Sequence, residues 1–93
     1  MLQDKNFAIY NESYVHLNGT IRSGCLEITS EIDGDDDMYW DEEKHYVFSE
    51  SQTEKLFSII SLEKLIASCR KGRLIWLEDF LREHKIDHDE WCF

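Results

Sequence analysis

The feature that most constrains the fold is a change in hydrophobic periodicity at Ser49. Before this residue, short runs alternate apolar and polar side chains, which is typical of half-buried strands. After it, apolar residues recur at helical spacing. Strands followed by helices in one chain favour an α+β fold. At 93 residues, the chain is long enough for one hydrophobic core and hence one domain, residues 1–93.

The first half, residues 1–48, predicts a small antiparallel sheet. Asn18-Gly19 is a dipeptide preferred in type I′ turns, so we expect a hairpin there that returns through residues 20–22. Ser23-Gly24 predicts a second break or a bulge. The segment Cys25–Ile32 then alternates apolar and polar residues as a half-buried strand does. Further runs of strand length lie at residues 7–10, 14–17 and 44–48.

The second half, residues 49–93, predicts about three helices. Ser51 or Thr53 is placed to cap the first helix, and Ser61 the second. Gly72 lies where a helix C-terminus is expected, which separates the second helix from the third. Each predicted helix carries an apolar stripe, formed by Leu56, Phe57, Ile59 and Ile60, by Leu62, Leu65, Ile66 and Cys69, and by Leu74, Leu77, Phe80 and Leu81.

Residues 68–84 resemble the helix-turn-helix of an ankyrin-type repeat, in which a glycine separates two helices. The resemblance occurs once and implies a helical hairpin. Residues 85–93 predict either a final short strand or a tail held by its aromatic side chains. The expected architecture is therefore α+β, with a small antiparallel sheet from the N-terminal half packed against about three C-terminal helices.

The acidic segment, residues 31–43, holds eight carboxylates and no Lys or Arg. Residues 1–43 carry 11 acids against 2 bases, whereas residues 44–93 carry 9 against 8, within a net charge of -10. Such a field repels nucleic acid and anionic lipid, and attracts a basic protein or a cation. Because residues 33–37 have poor strand propensity, we expect the segment to be a loop that connects two neighbouring strands.

A calcium site is one interpretation of the acidic segment. Asp33, Asp35 and Asp37 alternate as the first three ligands of an EF-hand do. The sixth position is however Met38 instead of glycine, and the twelfth is Lys44 instead of glutamate. The flanking residues also predict strands, whereas an EF-hand needs helices, so calcium binding is the weaker interpretation.

A protein interface is a second interpretation, because two aromatic residues lie among the acids. Exposed aromatic side chains anchor interfaces, while acids steer a basic partner. The alternatives are a solvated run of charge, or aromatic rings that turn inward and begin the next strand. The expected partner-binding residues are Asp33, Asp35, Asp36, Asp37, Tyr39, Trp40, Asp41, Glu42 and Glu43.

The cysteines and the chain ends favour a cytosolic protein. Cys25, Cys69 and Cys92 are odd in number and widely spaced, which indicates reduced thiols more than a disulfide framework. The first residues lack a basic stretch followed by an apolar run, and no later stretch has the length needed to cross a bilayer. We therefore expect cytoplasmic localisation and no membrane partner.

Catalytic and metal-binding patterns are weak. His84, His88 and Cys92 recur every four residues, but they cross a predicted helix end, which would turn them to different faces. Glycine-rich phosphate loops and a nucleophile motif are missing from the sequence. We therefore expect no enzyme, no metal and no cofactor. The remaining enzymatic candidates are His45 beside Glu43 and a Cys69 thiolate near Arg70, although Cys69 on an apolar stripe favours core packing.

A small acidic α+β domain with its charge on one loop is similar to the immunity proteins of bacterial toxin–immunity pairs of the contact-dependent inhibition type. The resemblance covers size, charge and layout. It implies binding to a cognate toxin domain, often a basic nuclease, and occlusion of that domain's active site. The alternatives are an acidic nucleic-acid mimic that blocks a DNA-binding protein, and a divalent-metal-binding protein.

Overall fold

The computed structural model describes residues 3–12, 14–33 and 42–92. Within these ranges the chain forms a five-stranded antiparallel sheet and two helices. The strands are β1 (Lys5–Asn11), β2 (Val15–Arg22), β3 (Cys25–Ile32), β4 (Glu42–Val47) and β5 (Asp89–Cys92). The helices are α1 (Glu50–Ile59) and α2 (Leu62–Glu83). The fold is thus α+β, but the prediction of about three helices is wrong.

The sheet has the strand order β1-β2-β3-β4-β5. Its first four strands follow one another along the chain, and β5 returns after the helices to pair with β4. The prediction of a final short strand is therefore confirmed. β3 and β4 are neighbours, with Ile32 opposite Glu42, so the prediction that the acidic segment joins neighbouring strands is confirmed at both of its ends.

The predicted hairpin turn at Asn18-Gly19 is wrong. β2 continues through both residues, and the chain reverses at Ser23-Gly24, whose φ angles of 54° and 79° are both positive, as a type I′ turn requires. Gly19 lies opposite Phe7 of β1, where an added Cβ would come within 2.3 Å of two ring carbons. A glycine is therefore needed at this position so that the Phe7 ring can lie across the strand.

The helix caps are partly as expected. Ser61 caps α2, which confirms that prediction. The cap of α1 is Ser49, whose hydroxyl accepts a hydrogen bond from the backbone N–H of Gln52 at 3.3 Å. The prediction of Ser51 or Thr53 is wrong because α1 begins earlier and includes both residues. The Thr53 hydroxyl is buried and accepts a hydrogen bond from a strand amide, Leu26 N, at 3.0 Å.

α2 spans the predicted helix end at Gly72, but it consists of two helical parts that are interrupted one residue later. A kink occurs at Arg73, which has φ 55° and ψ -147°. This backbone region is nearly exclusive to glycine and costs about 1–3 kcal/mol for other residues. The Arg73 guanidinium lies over the Tyr10 ring, 4.6 Å from its centroid, and 4.0 Å from a Glu12 carboxylate oxygen. These contacts attach the kink to β1.

Both helices pack on one face of the sheet, which we call the covered face. Its buried side chains form one apolar cluster with those of the helices. The cluster includes Ile9, Leu17, Ile21, Leu26, Ile28, Tyr46 and Phe48 from the first half, and Leu56, Ile60, Leu65, Cys69, Leu77, Leu81 and Ile86 from the second. Neither described helix is long and apolar enough to cross a membrane.

The opposite face, which we call the open face, carries the alternate residues of the same strands. In β3, buried Leu26 and Ile28 alternate with partly exposed Glu27 and Thr29, which confirms the predicted half-buried strand. No helix among the described residues packs on this face. Its side chains include Arg22, Glu27, Thr29, Glu31, Glu43, His45, Asp89 and Trp91.

Candidate functional site

The described members of the predicted partner-binding set lie where β3 ends and where β4 begins. They are three residues: Asp33 directly follows β3, and Glu42 and Glu43 begin β4. The others, Asp35, Asp36, Asp37, Tyr39, Trp40 and Asp41, lie outside the described residues. Their role in binding a partner stays a prediction.

The start of the acidic segment is attached to the sheet at Asp33. Its backbone N–H donates to the carbonyl of Tyr14 at 2.8 Å. Its carboxylate lies 3.0 Å from His16 Nε2, and His16 Nδ1 lies 3.0 Å from the Asn11 side-chain oxygen. A neutral imidazole has one N–H, so it can donate to only one of these two oxygens at a time, whereas the imidazolium can donate to both. Asp33 is thereby held by residues of β2 and its flank.

Two carboxylates face each other at the base of the acidic segment. Glu31 of β3 and Glu43 of β4 are direct cross-strand partners on the open face. Side chains so placed have Cβ atoms about 4.5–5.5 Å apart, and like charges there are destabilising. Within the described part of the chain, no Lys or Arg forms an ion pair with either residue. The register therefore places two like charges opposite each other, and the described ionic contact of Glu43 is with His45 Nε2 at 3.3 Å.

The imidazole of His45 lies among acids on the open face. Its Nε2 is 3.3 Å from a Glu43 carboxylate oxygen, and its Nδ1 is 3.7 Å from Glu27 and 3.3 Å from the Thr29 hydroxyl. The structure thus brings together the predicted pair of His45 and Glu43. Directly across from His45 on β5 lies Trp91, whose side chain is 56% exposed.

Trp91 is missing from the predicted site residues. The signal for it was the alternation of residues 89–92, which places Asp89 and Trp91 on one face if those residues form a strand. The sequence left a tail as an alternative to that strand. The pairing of residues 89–92 with β4 depends on how the helices between these two segments pack, and the local sequence pattern does not contain that information.

A second polar cluster lies beside the covered face, between β4, β5 and α2. Tyr46 donates its hydroxyl to a Glu78 carboxylate oxygen at 2.5 Å, and Lys44 Nζ lies 3.5 Å from Glu78 and 3.6 Å from Glu90. Burial, together with the hydrogen bond to Glu78, raises the pKa of Tyr46 to about 12. Tyr46 is therefore protonated at neutral pH and attaches α2 to the sheet.

His88 completes this second cluster. Its ring stacks on Tyr46, with centroids 5.5 Å apart, and lies 5.4 Å from the ring of Phe48. Its Nε2 is 3.0 Å from a Glu90 carboxylate oxygen, and this hydrogen bond lowers the pKa of Glu90. These contacts pack His88 against the sheet just before β5, while its buried Nδ1 has no hydrogen-bond partner among the described residues.

The predicted metal and thiol candidates are separated by the fold. His84 packs on Phe80 with ring centroids 4.4 Å apart, whereas His88 packs on the sheet and Cys92 is exposed on β5. Across the described ranges, His, Cys, Asp and Glu side chains form no group of three or more that could hold a metal ion. Most of the calcium pattern falls within residues 34–41, outside the described residues.

Cys69 is fully buried, which confirms the prediction that it packs in the core. Burial raises the pKa of its thiol to about 12, so the nucleophilic thiolate is disfavoured at neutral pH. The neighbouring Arg70 instead donates from Nε to the backbone carbonyl of Ile9 at 2.8 Å. The Cys69 and Arg70 pair therefore lacks the exposed, electropositive setting of a reactive cysteine.

The described residues thus combine carboxylates at the end of β3 and the start of β4, an open face with an exposed Trp91, and a packed polar cluster at α2. Carboxylates and an exposed indole can bind a cationic surface by charge and by stacking. Comparison of the chain with protein-family models, with curated proteins and with solved structures found no match.

Proposed function

We propose that this protein is an inhibitor of the immunity type, which acts in the cytosol by binding a basic toxin domain and occluding its active site. The expected class of toxin is a nuclease, and the proposed contact is the acidic segment. The observation that carries the proposal is the pair of Glu31 and Glu43, which face each other directly at the base of this segment. A like-charge pair costs stability, and binding to a cationic partner would offset that cost.

The proposed mechanism is mimicry of charge. A nuclease presents Lys, Arg or His side chains to the phosphates of its substrate, and carboxylates can take the place of those phosphates. Asp33, Glu42 and Glu43 lie at the two ends of the segment, where they can meet such cations from neighbouring strands. Tyr39 and Trp40 would add apolar contact, which a phosphate chain lacks.

Attachment of both ends of the segment supports this mechanism. Asp33 is held by the Tyr14 carbonyl and by His16, and Glu42 is paired with Ile32 in the sheet. Fixed ends reduce the conformational entropy that a loop loses when it binds. Exposed carboxylates also accelerate association with a basic partner, and salt weakens that effect.

The test is an affinity pull-down from the source organism at low and at moderate salt. The test variant replaces Asp35, Asp36 and Asp37 with Asn. A matched control replaces three exposed helix residues, Glu54, Glu63 and Glu83, with Gln. The test variant and the control variant therefore lose the same number of negative charges. We expect the wild type and the control to retain one basic protein at moderate salt, and the test variant to lose it.

Three other results would contradict the proposal. Retention of many basic proteins, all released at moderate salt and equally by both variants, would mean a nonspecific charged surface; retention of several DNA-binding proteins by the wild type alone would favour the nucleic-acid mimic. A calcium-dependent change in Trp fluorescence that the Asn variant lacks would favour divalent-metal binding.

A further inference from the structure

One row of side chains crosses the open face through all five strands. It consists of Ala8, Asn18, Thr29, His45 and Trp91, each opposite the next across a strand pair. The row runs from small and neutral residues on β1 to the exposed indole on β5. The row therefore ends in the methyl group of Ala8 at the β1 edge and in the indole of Trp91 at the β5 edge.

The charge of the open face is predominantly negative. Glu27, Glu31, Glu43 and Asp89 lie on it, and the one described Lys or Arg side chain on it is Arg22, at the end next to the Ser23-Gly24 turn. Glu27 and Glu43 flank the His45 ring, at 3.7 and 3.3 Å. Two carboxylates thus lie beside His45, which is the cross-strand neighbour of Trp91.

The combination of an exposed indole with nearby carboxylates suits one chemical group in particular. A guanidinium stacks on the face of Trp, the best aromatic partner for a cation, and pairs with carboxylates through two parallel hydrogen bonds. Lysine offers a point charge and lacks the planar group for stacking. The open face is therefore complementary to arginine more than to lysine.

We propose that the open face is a docking surface for an arginine-bearing surface of a protein partner, with a guanidinium stacked on Trp91 and paired with Glu27 or Glu43. This inference rests on the proposed inhibitor function and adds a second contact area and the residue type that occupies it. It uses described residues alone, so it does not depend on residues 34–41.

The area of the open face is smaller than one side of a standard protein–protein interface. The five strands hold 7, 8, 8, 6 and 4 residues. At about 3.3 Å per residue and a spacing of about 4.8 Å, they cover an area of about 500 Å². A standard interface buries about 800 Å² on each partner, and smaller ones are weak or transient. By itself the open face would therefore bind weakly, which suits measurement with a short peptide.

Other occupants are less compatible with the charge. Nucleic acid could stack bases on Trp91 and His45, but its phosphates would be repelled by Glu27, Glu31 and Glu43. A second copy of this chain would place the same carboxylates against each other. Charge complementarity therefore favours a cationic protein surface.

The test is an NMR titration of the 15N-labelled protein with an octa-arginine peptide at low salt. We expect chemical-shift changes at the amides of Thr29 and His45 and at the Trp91 indole N–H that exceed those in α1. Octa-lysine at the same charge should give smaller changes at the indole. Trp91→Ala should weaken binding of octa-arginine by about two- to fivefold, the loss expected for one exposed cation–π contact. Ile75→Ala removes another exposed apolar side chain, 76% exposed on α2, and should leave the affinity unchanged.

Several outcomes would overturn the inference. These are shifts confined to residues 33–43, equal affinity of the Trp91→Ala variant, equal indole shifts with oligo-dT, or the same shifts on raising protein concentration alone. None of these outcomes decides the proposed inhibitor function. The pull-down tests that function separately, because it varies the acidic segment and keeps Trp91 intact. The opposite outcome is also possible to detect. The open-face shifts would persist in the variant with Asp35, Asp36 and Asp37 changed to Asn, and the pull-down would retain no protein with any variant. This pair of results would support the docking surface and reject the proposed inhibitor.

Discussion

The covered face and the open face of the sheet are built from the same strands, yet they carry opposite chemistry. On β3, Leu26 and Ile28 are fully buried beneath the helices, while Glu27 and Thr29 between them face away. The covered face is apolar and closely packed. The open face holds a like-charge pair, Glu31 and Glu43, that packing does not need. The difference indicates that apolar packing is concentrated on one face, which leaves the other free to carry like charges opposite each other.

The largest expected difference between the faces concerns neighbouring residues of β3. Ile28→Ala should lower the free energy of unfolding by about 2–5 kcal/mol, because it removes buried methyl groups and leaves a cavity. Thr29→Ala on the open face should change it by less than about 1 kcal/mol. Urea denaturation followed by Trp fluorescence measures both. Equal losses would break the division between the two faces.

A second effect appears at alkaline pH, because the covered face contains Tyr46. Its pKa is raised from 10.0 to about 12, so the folded protein holds this proton more tightly than the unfolded chain does. The resulting stabilisation is present below about pH 10 and is lost as the pH rises toward 12. Between pH 10 and 12, the free energy of unfolding of the wild type should fall by up to about 3 kcal/mol more than that of Tyr46→Phe.

Denaturation at a series of alkaline pH values measures this difference. Tyr14→Phe, which alters a ring that is 44% exposed, serves as the control. At neutral pH, Tyr46→Phe should itself be less stable, since Glu78 loses its hydrogen-bond donor. Parallel pH profiles for wild type and Tyr46→Phe would show that this buried hydroxyl does not link folding to alkaline pH.

The contact of Gly19 with Phe7 is the third test. Gly19→Ala should destabilise the protein by about 1–3 kcal/mol, because its Cβ would lie 2.3 Å from the aromatic ring. Adding Phe7→Leu should recover part of this loss, and a double-mutant cycle measures the coupling. Asn18→Ala, next to it on the open face, is the matched control. Additive effects of the two changes would contradict the close contact.

The smallest expected effect is a gain. Glu31→Gln should stabilise the protein by about 0.2–1 kcal/mol, because it removes one of two facing carboxylates. The gain should shrink in 1 M salt, where the Debye length is about 3 Å. In the proposed complex with a basic toxin domain, the same change should slow association. Glu54→Gln on α1 is the control, and a loss of stability in Glu31→Gln would mean that the facing pair is not repulsive.

The strand pattern of β3 was predictable because it depends on the alternation of neighbouring residues. The turn was not, since Asn18-Gly19 has the stronger local preference for a type I′ turn. A turn there would nevertheless place Leu17 opposite Thr20, an apolar residue facing a polar one. The turn at Ser23-Gly24 instead pairs Ile21 with Leu26, and both are buried. Matching of apolar faces across strands therefore outweighs the preference of the dipeptide.

The helix count was wrong for a related reason. Gly72 is a normal signal for a helix end. Arg73 takes up the irregular backbone instead, and its contacts with Tyr10 and Glu12 of the β1 region help to hold it there. Gly72 thus indicated the interruption to within one residue, whereas the contact that helps to hold Arg73 involves Tyr10, which lies far away in sequence.

The sequence by itself determined the fold class, the half-buried character of β3, the cap at Ser61 and the concentration of acids in residues 31–43. These features depend on the spacing and composition of residues that are close together in the chain, so they can be recognised in the sequence. The tertiary structure alone decided that β5 returns to β4, which places Trp91 opposite His45 and beside the acids of the open face. It also decided where the chain turns and where α2 kinks, because those choices depend on contacts between residues distant in the chain.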